Sequence, residues 1–178
     1  MIAEVPTVDW WLLGLRVVHV GSAMLWFGGA IIGGFFLSPT ATALGDSAQP
    51  FMDHLMRRRR IGIVFPVVAA LTVLAGALLY WRDSGGLQWA WISSPTGVAY
   101  TIGGAAAIAS FALGFILVAP SIAEQSAVRN ELAASGAAPT QAQEERLRHA
   151  DRLMRLAGRV DLPLILVAGL TMATARYL

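Results

Sequence analysis

The chain contains no cysteine and no lysine. Disulfide frameworks, Cys-based zinc sites, thiol catalysis and any lysine chemistry are thereby excluded. Charge is scarce too: 13% of the 178 residues are charged and 56% are apolar, roughly half the charged share of an ordinary soluble domain. There is no phosphate-binding glycine loop, no Ser-His-Asp arrangement and no pair of carboxylates within an apolar run. Whatever chemistry exists must use His, Arg, carboxylates, Tyr or Met. All 13 basic residues are Arg, giving a net charge of +2 and a pI near 9.7. These Arg residues sit beside long apolar runs and read as topology signals, so no nucleic-acid partner is expected.

What is present is apolar sequence in lengths that match a bilayer. A hydrocarbon core needs about 20 apolar residues as helix, and four stretches qualify, about 10–37, 61–81, 97–119 and 160–178. The expected fold is all-α and integral to a membrane, one domain of four spans in two hairpins, with the lipid bilayer as its first partner. The first run is too long for a signal-peptide core and has no clear cleavage site, so it reads as an uncleaved helix. Ten of the 13 Arg fall in segments 38–60 and 120–159, which the positive-inside rule makes cytoplasmic. Trp10, Trp11, Trp81, Trp89 and Trp91 gather on the other side, and the leading segment carries Glu4 and Asp9 without Arg. Both termini are then outside.

The segment 120–159 is expected to form a cytoplasmic helical hairpin. Thr140 and Gln143 have the spacing of a capping box, and Leu147, Ala150, Met154 and Ala157 follow the 3-4-3 spacing of a packed helix face. It is either a solvated hairpin or a docking surface for another subunit. An internal repeat is also visible. Aligning Pro39 with Pro120 matches two Phe-rich helix ends; aligning Arg60 with Arg159 matches Ala69-Ala70-Leu71-Thr72 with Ala168-Gly169-Leu170-Thr171. Such hairpins would be related by an axis along the membrane normal.

Arg16 and His19 lie inside the first span, and intramembrane ionisable groups are costly enough to mark function. His19 stands about 12–13 Å below Trp11 at 1.5 Å per residue, with Arg16 one turn nearer the surface. Spacing places Leu12, Arg16, His19, Ala23, Trp26, Ala30 and Gly33 on one stripe that should face protein, and Gly29 and Gly33 permit close packing. A buried neutral imidazole suits haem iron, and a nearby Arg suits a haem propionate. A bare transition metal needs more ligands than the spans supply. Met172 and Tyr100 are the candidates for a second axial ligand, Tyr100 being the repeat equivalent of His19. Five-coordinate iron or a haem shared across a dimer is equally compatible. The alternative is structural: His19 hydrogen-bonds Ser22, Thr101 or a backbone carbonyl while Arg16 anchors the helix. Three weaker features remain. Met52-Asp53-His54-Leu55-Met56 could hold copper or anchor an interfacial helix. Asp161 could relay protons or, more in keeping with its place, pair with Arg58, Arg59 or Arg60. Pro66 and Pro163 could kink spans two and four.

Arg16-x-x-His19 followed by Trp26-Phe27-Gly28-Gly29 resembles the first helix of small bacterial membrane proteins of the CopD-like copper-resistance and HemJ-type protoporphyrinogen oxidase families. The Leu37-Ser38-Pro39 turn is similar to that of the HemJ helix. The specific resemblance covers about 25 residues. It implies a bacterial inner-membrane location and, on the HemJ side, haem b ligation by His19; on the CopD side it implies copper passage, for which Met24 and Met172 are the sparse candidates. The HemJ pattern also relies on a Lys in a later helix, absent here, so whether the chain is an enzyme is left open. The expected function is a haem b-binding redox or electron-transfer protein with His19 as ligand, Arg16 on a propionate, and Trp26 and Tyr100 lining the pocket. Copper or small-cation transport, and a structural subunit of a homo-oligomer or larger membrane complex, are the alternatives.

Overall fold

The computed structural model describes residues 8–178, without the side chains of Asp46 and Arg57; Glu4 lies outside the described residues. The protein is 90% helix, and no strand occurs among the described residues. Four helices are long and apolar enough to cross a membrane: α1 (Trp10–Leu44), α2 (Ile61–Asp83), α3 (Pro95–Ser135) and α4 (Gln141–Tyr177). Each start has a local cause. Asp9 caps α1 by accepting from the Leu12 amide at 3.0 Å, and Ser94 caps α3 through the Gly97 amide at 3.1 Å, with Pro95 in the first turn. Thr140 and Gln143 close the expected capping box at α4, each side chain bonding the other's backbone N–H.

α1 and α2 form one antiparallel hairpin and α3 and α4 a second; α2 also packs on α3, and α4 on α1, closing a ring. Glycines let these helices approach. The Phe65 ring of α2 lies over Gly29 of α1, and the Phe27 ring of α1 lies over Gly169 of α4. All four helices feed the core, where Trp26 meets Val68, Ala69, Ala106, Ala107, Ile165 and Ala168. The outward faces are apolar: Val17, Leu25, Ile63, Leu74, Ile108, Ile116 and Leu170 are exposed. An apolar exterior of this extent is the reverse of a water-soluble bundle.

The two hairpins share an irregularity. In α1 the Ser38 amide reaches back five residues to the Gly33 carbonyl, and in α3 the Ala119 amide does the same to Gly114. These single π turns are 81 positions apart, the offset that aligns Pro39 with Pro120. A proline ring strikes the carbonyl four residues earlier, and a turn wider by one residue relieves that demand without ending the helix. Both helices therefore run past the apolar stretches at 37 and 119, to Leu44 and Ser135. Beyond that level the second half of α3 and the first half of α4 form the expected helical extension, with Val128, Ala150 and Ala157 buried between them. Arg146 bridges Glu124 and Glu131 across it.

Pro66 and Pro163 lie inside α2 and α4 without ending them. The segment between α1 and α2 is a short helix, Gln49–Asp53, followed by a further π turn, His54–Arg58. Asp53 faces Arg129 of the extension at 3.9 Å, so this segment leans on the helical hairpin.

Candidate functional site

One polar rung crosses the apolar seam between α1 and α2. The Ser22 hydroxyl donates to the Val18 carbonyl at 2.6 Å, and the Thr72 hydroxyl shares its proton between Ser22 Oγ and the Val68 carbonyl, both at 2.8 Å. One turn toward the tryptophan end, Nδ1 of His19 lies 2.8 Å from the Thr72 carbonyl oxygen. A carbonyl can only accept, so Nδ1 is the donor in this contact. Nε2 has no hydrogen-bond partner among the described residues, and it is not enclosed, since no buried polar side-chain atom there lacks a partner. The imidazole is half-buried.

Gly76 makes this approach possible. A Cβ at that position would stand 2.8 Å from His19 Cε1 and 3.0 Å from Nδ1, closer than side chains tolerate. The absent methyl lets the ring lie against the backbone of α2 and reach a carbonyl already inside the helical hydrogen-bond ladder. Of the partners foreseen for His19, the backbone carbonyl is the one used. Gly76 carries no signal by itself in the sequence; only its pairing with His19 gives it meaning.

Toward the tryptophan end the same seam opens into a cleft of about 570 Å³, bounded by Trp11, Leu15, Leu78, Trp81 and Arg82. Leu15 is one turn above His19 on α1. Arg82 closes the top through a 2.6 Å ion pair with Asp9. The Leu12 amide and then the Arg82 guanidinium hold the Asp9 carboxyl below the usual carboxylate range.

The other sequence candidates occupy different seams. Arg16 is exposed and makes no hydrogen bond or ion pair among the described residues. Trp26 is buried two turns below His19, edge-on to Phe111 with ring centroids 6.5 Å apart. The protein-facing stripe of α1 thus runs through His19, Ser22, Trp26 and Gly29, and Arg16 stands off it. Tyr100 stacks on Trp91 at 6.2 Å, and Trp91 in turn meets Tyr80 edge-on at 5.3 Å. Met172 packs on Gly103 in the α3 and α4 seam. Neither Tyr100 nor Met172 bonds His19. Asp161 is not ion-paired with Arg58, Arg59 or Arg60; it accepts a hydrogen bond from Ser110 of α3, because its helix face turns into the hairpin seam. No group of three or more His, Asp or Glu suited to a metal occurs among the described residues.

The repeat places equivalent residues at equivalent contacts. The offsets of 81 and 99 positions that align the hairpins carry Ser22 onto Gly103 and Thr72 onto Thr171. Ser22 meets Thr72, and Gly103 meets the Thr171 hydroxyl, where a Cβ would lie 2.6 Å from Oγ1. His19 corresponds to Tyr100 under the same alignment, so the imidazole is the feature that one hairpin has and the other lacks. No family model, curated protein or solved structure matches the chain.

Proposed function

We propose that the four helices span a bacterial inner membrane, with the tryptophan end and both termini outside, and that the protein binds haem b through Nε2 of His19 as a redox or electron-transfer component. The observation that carries this reading is the hydrogen bond from His19 Nδ1 to the Thr72 carbonyl. It fixes the ring plane and, in the neutral imidazole, leaves Nε2 as the nitrogen with the free lone pair, the arrangement that second partners of ligating imidazoles impose. Haem b, when bound, supplies a one-electron couple whose potential depends on axial ligand and burial.

The chain's own residues would hold that group in defined ways. Thr72 and Gly76 orient the imidazole, while Ser22 and Thr72 lock α1 against α2 so the ring cannot swing. Arg16 has no internal partner, so its guanidinium is free for a propionate carboxylate. Tyr100 packs on Trp91 and Met172 on Gly103, so His19 would be the one ligand supplied by this chain, alone or together with a second copy.

The structural-subunit reading has two observations in its favour. His19 bonds a backbone carbonyl, as that reading expects, and Gly14, Gly21 and Gly28, spaced by seven on α1, have open space where their Cβ atoms would lie, room for a neighbouring helix. Copper or small-cation passage by way of His19 and Met24 is less favoured, since Met24 is 71% exposed and five residues along from His19, on a different side of α1. An absorption spectrum of the detergent-purified protein, oxidised and dithionite-reduced, tests the haem reading. A Soret band and reduced b-type bands that disappear in His19→Ala are expected. A colourless wild type after expression with ample haem, or an unchanged spectrum in His19→Ala, would overturn it.

A further inference from the structure

Among the described residues, the arginines of segments 38–60 and 120–159 divide by place into paired and unpaired. In the distal part of the helical extension, Arg146 pairs with Glu124 and Glu131, Arg148 with Glu144 at 2.9 Å, and Arg129 with Asp53 at 3.9 Å. Nearer the apolar runs, Arg152, Arg155 and Arg159 on α4 and Arg58, Arg59 and Arg60 ahead of α2 make no ion pair among the described residues. Carboxylates are at hand and are turned away. Asp151, one helical turn before Arg155, accepts from Gln125 of α3 at 3.0 Å instead, and Asp161 is taken by Ser110.

The three on α4 form a row. Positions 152, 155 and 159 share one helix face, all are exposed, and the opposite face buries Ala150 and Ala157 against α3. Arg159 directly precedes the apolar run of α4, with Arg155 about 6 Å and Arg152 about 10 Å further out at 1.5 Å per residue. That depth is about one Debye length at physiological salt, so all three lie within the field of a charged bilayer surface. Arg58, Arg59 and Arg60 stand at the corresponding level immediately before Ile61.

We infer that the Arg152, Arg155 and Arg159 row is a docking site for anionic phospholipid headgroups of the cytoplasmic leaflet. The inference rests on the membrane-spanning reading above and not on haem. Guanidinium forks match phosphate oxygens in pairs, and a phosphodiester headgroup sits at the height where the row ends. Among the described residues no arginine of the row makes an ion pair, Glu145 lying beside Arg152 without bonding it, whereas arginines further out, beyond reach of headgroups, are paired internally.

Lipid retention measures this directly. The purified full chain would be incubated in neutral detergent with phosphatidylglycerol or phosphatidylcholine, passed over a sizing column and examined by native mass spectrometry. Retained phosphatidylglycerol should fall at least twofold in the variant carrying Arg152→Gln, Arg155→Gln and Arg159→Gln, and stay unchanged in Arg148→Gln. Arg155→Gln alone, a milder change, should show a smaller loss and serves if the triple variant does not fold. Equal retention of both lipids by wild type, equal phosphatidylglycerol retention by wild type and the row variants, or full displacement by equimolar glycerol phosphate would each overturn the inference, the last in favour of a soluble phosphate ligand. Haem absorbance recorded on the same samples separates the two readings, since its absence leaves the lipid result standing.

Discussion

His19 of α1 donates from Nδ1 to the carbonyl of Thr72 on α2 at 2.8 Å, one turn from the Ser22 and Thr72 hydroxyl pair that crosses the same seam. The contact joins the one histidine within the apolar runs to a backbone atom, so no side-chain substitution at Thr72 removes the acceptor. Its geometry depends on Gly76.

Gly76→Ala should therefore act as a selective lesion of the imidazole's position. The new methyl would fall 2.8 Å from Cε1 of His19, and the ring must leave the Thr72 carbonyl. The lost bond is worth about 0.5–1.5 kcal/mol, and under the haem b proposal the haem absorbance should drop sharply. Gly62→Ala in the same helix meets nothing within 4 Å and should retain both stability and absorbance. Thermal unfolding and Soret absorbance of the two variants, side by side, check this. Full absorbance in Gly76→Ala would contradict the role assigned to the close approach.

The Ser22 and Thr72 hydroxyls form the rung below. Thr72→Val leaves Ser22 its bond to the Val18 carbonyl but breaks the link between helices, at a cost of about 1 kcal/mol. Ser22→Ala should cost a similar amount, and the double variant less than the sum of the two, by about 0.5–1 kcal/mol, because both singles remove the same bond. Denaturation of the four proteins of this cycle measures the coupling. Strict additivity would mean that the hydroxyls contribute only to their own helices.

Much of this architecture is legible in the amino-acid order. Apolar runs of bilayer length fix the four helices, and Thr140 with Gln143 fixes the start of α4, because each rests on local spacing. Pro39 and Pro120 are legible as a repeat but not as what they mark: the preceding π turns let α1 and α3 continue, a solution that depends on backbone geometry and not on residue type. The site was half visible. His19 and Arg16 stand out as ionisable residues in apolar sequence, but Thr72 and Gly76, more than fifty positions away, become partners only once the hairpin sets their register. Tyr100 drew notice as the repeat equivalent of His19, and its stacking on Trp91 follows from a loop whose return path no periodicity records.

The register of the second hairpin is open to a test with two adjacent glycines. A Cβ at Gly103 would meet Thr171 Oγ1 at 2.6 Å and Met172 Cγ at 2.9 Å, whereas one at Gly104 meets nothing within 4 Å. Gly103→Ala overpacks the seam and should cost about 1–3 kcal/mol. Gly104→Ala gains helix propensity, up to about 1 kcal/mol, and should be neutral or stabilising. Melting temperatures in one detergent distinguish them. Equal shifts would mean that α3 is rotated from the position described.

The helical extension should loosen in acid. Glu131 accepts from Gln143 at 3.0 Å and from Arg146 at 3.0 Å, and these two contacts, the Gln143 bond foremost, hold its carboxyl below the usual glutamate range. A carboxyl whose folded pKa is depressed binds protons more readily when unfolded. Its stabilising contribution is therefore complete above the ordinary glutamate value of 4.5, and is lost as pH falls through the lower folded value. Hydrogen exchange at amides 141–148, followed from about pH 6 to pH 3 after correction for intrinsic rates, should lose protection over that window. In Glu131→Gln protection should be lower at about pH 6 and fall less with acidification, Glu124 still pairing with Arg146. A wild-type profile that matches the variant's at every pH would overturn the role given to Glu131.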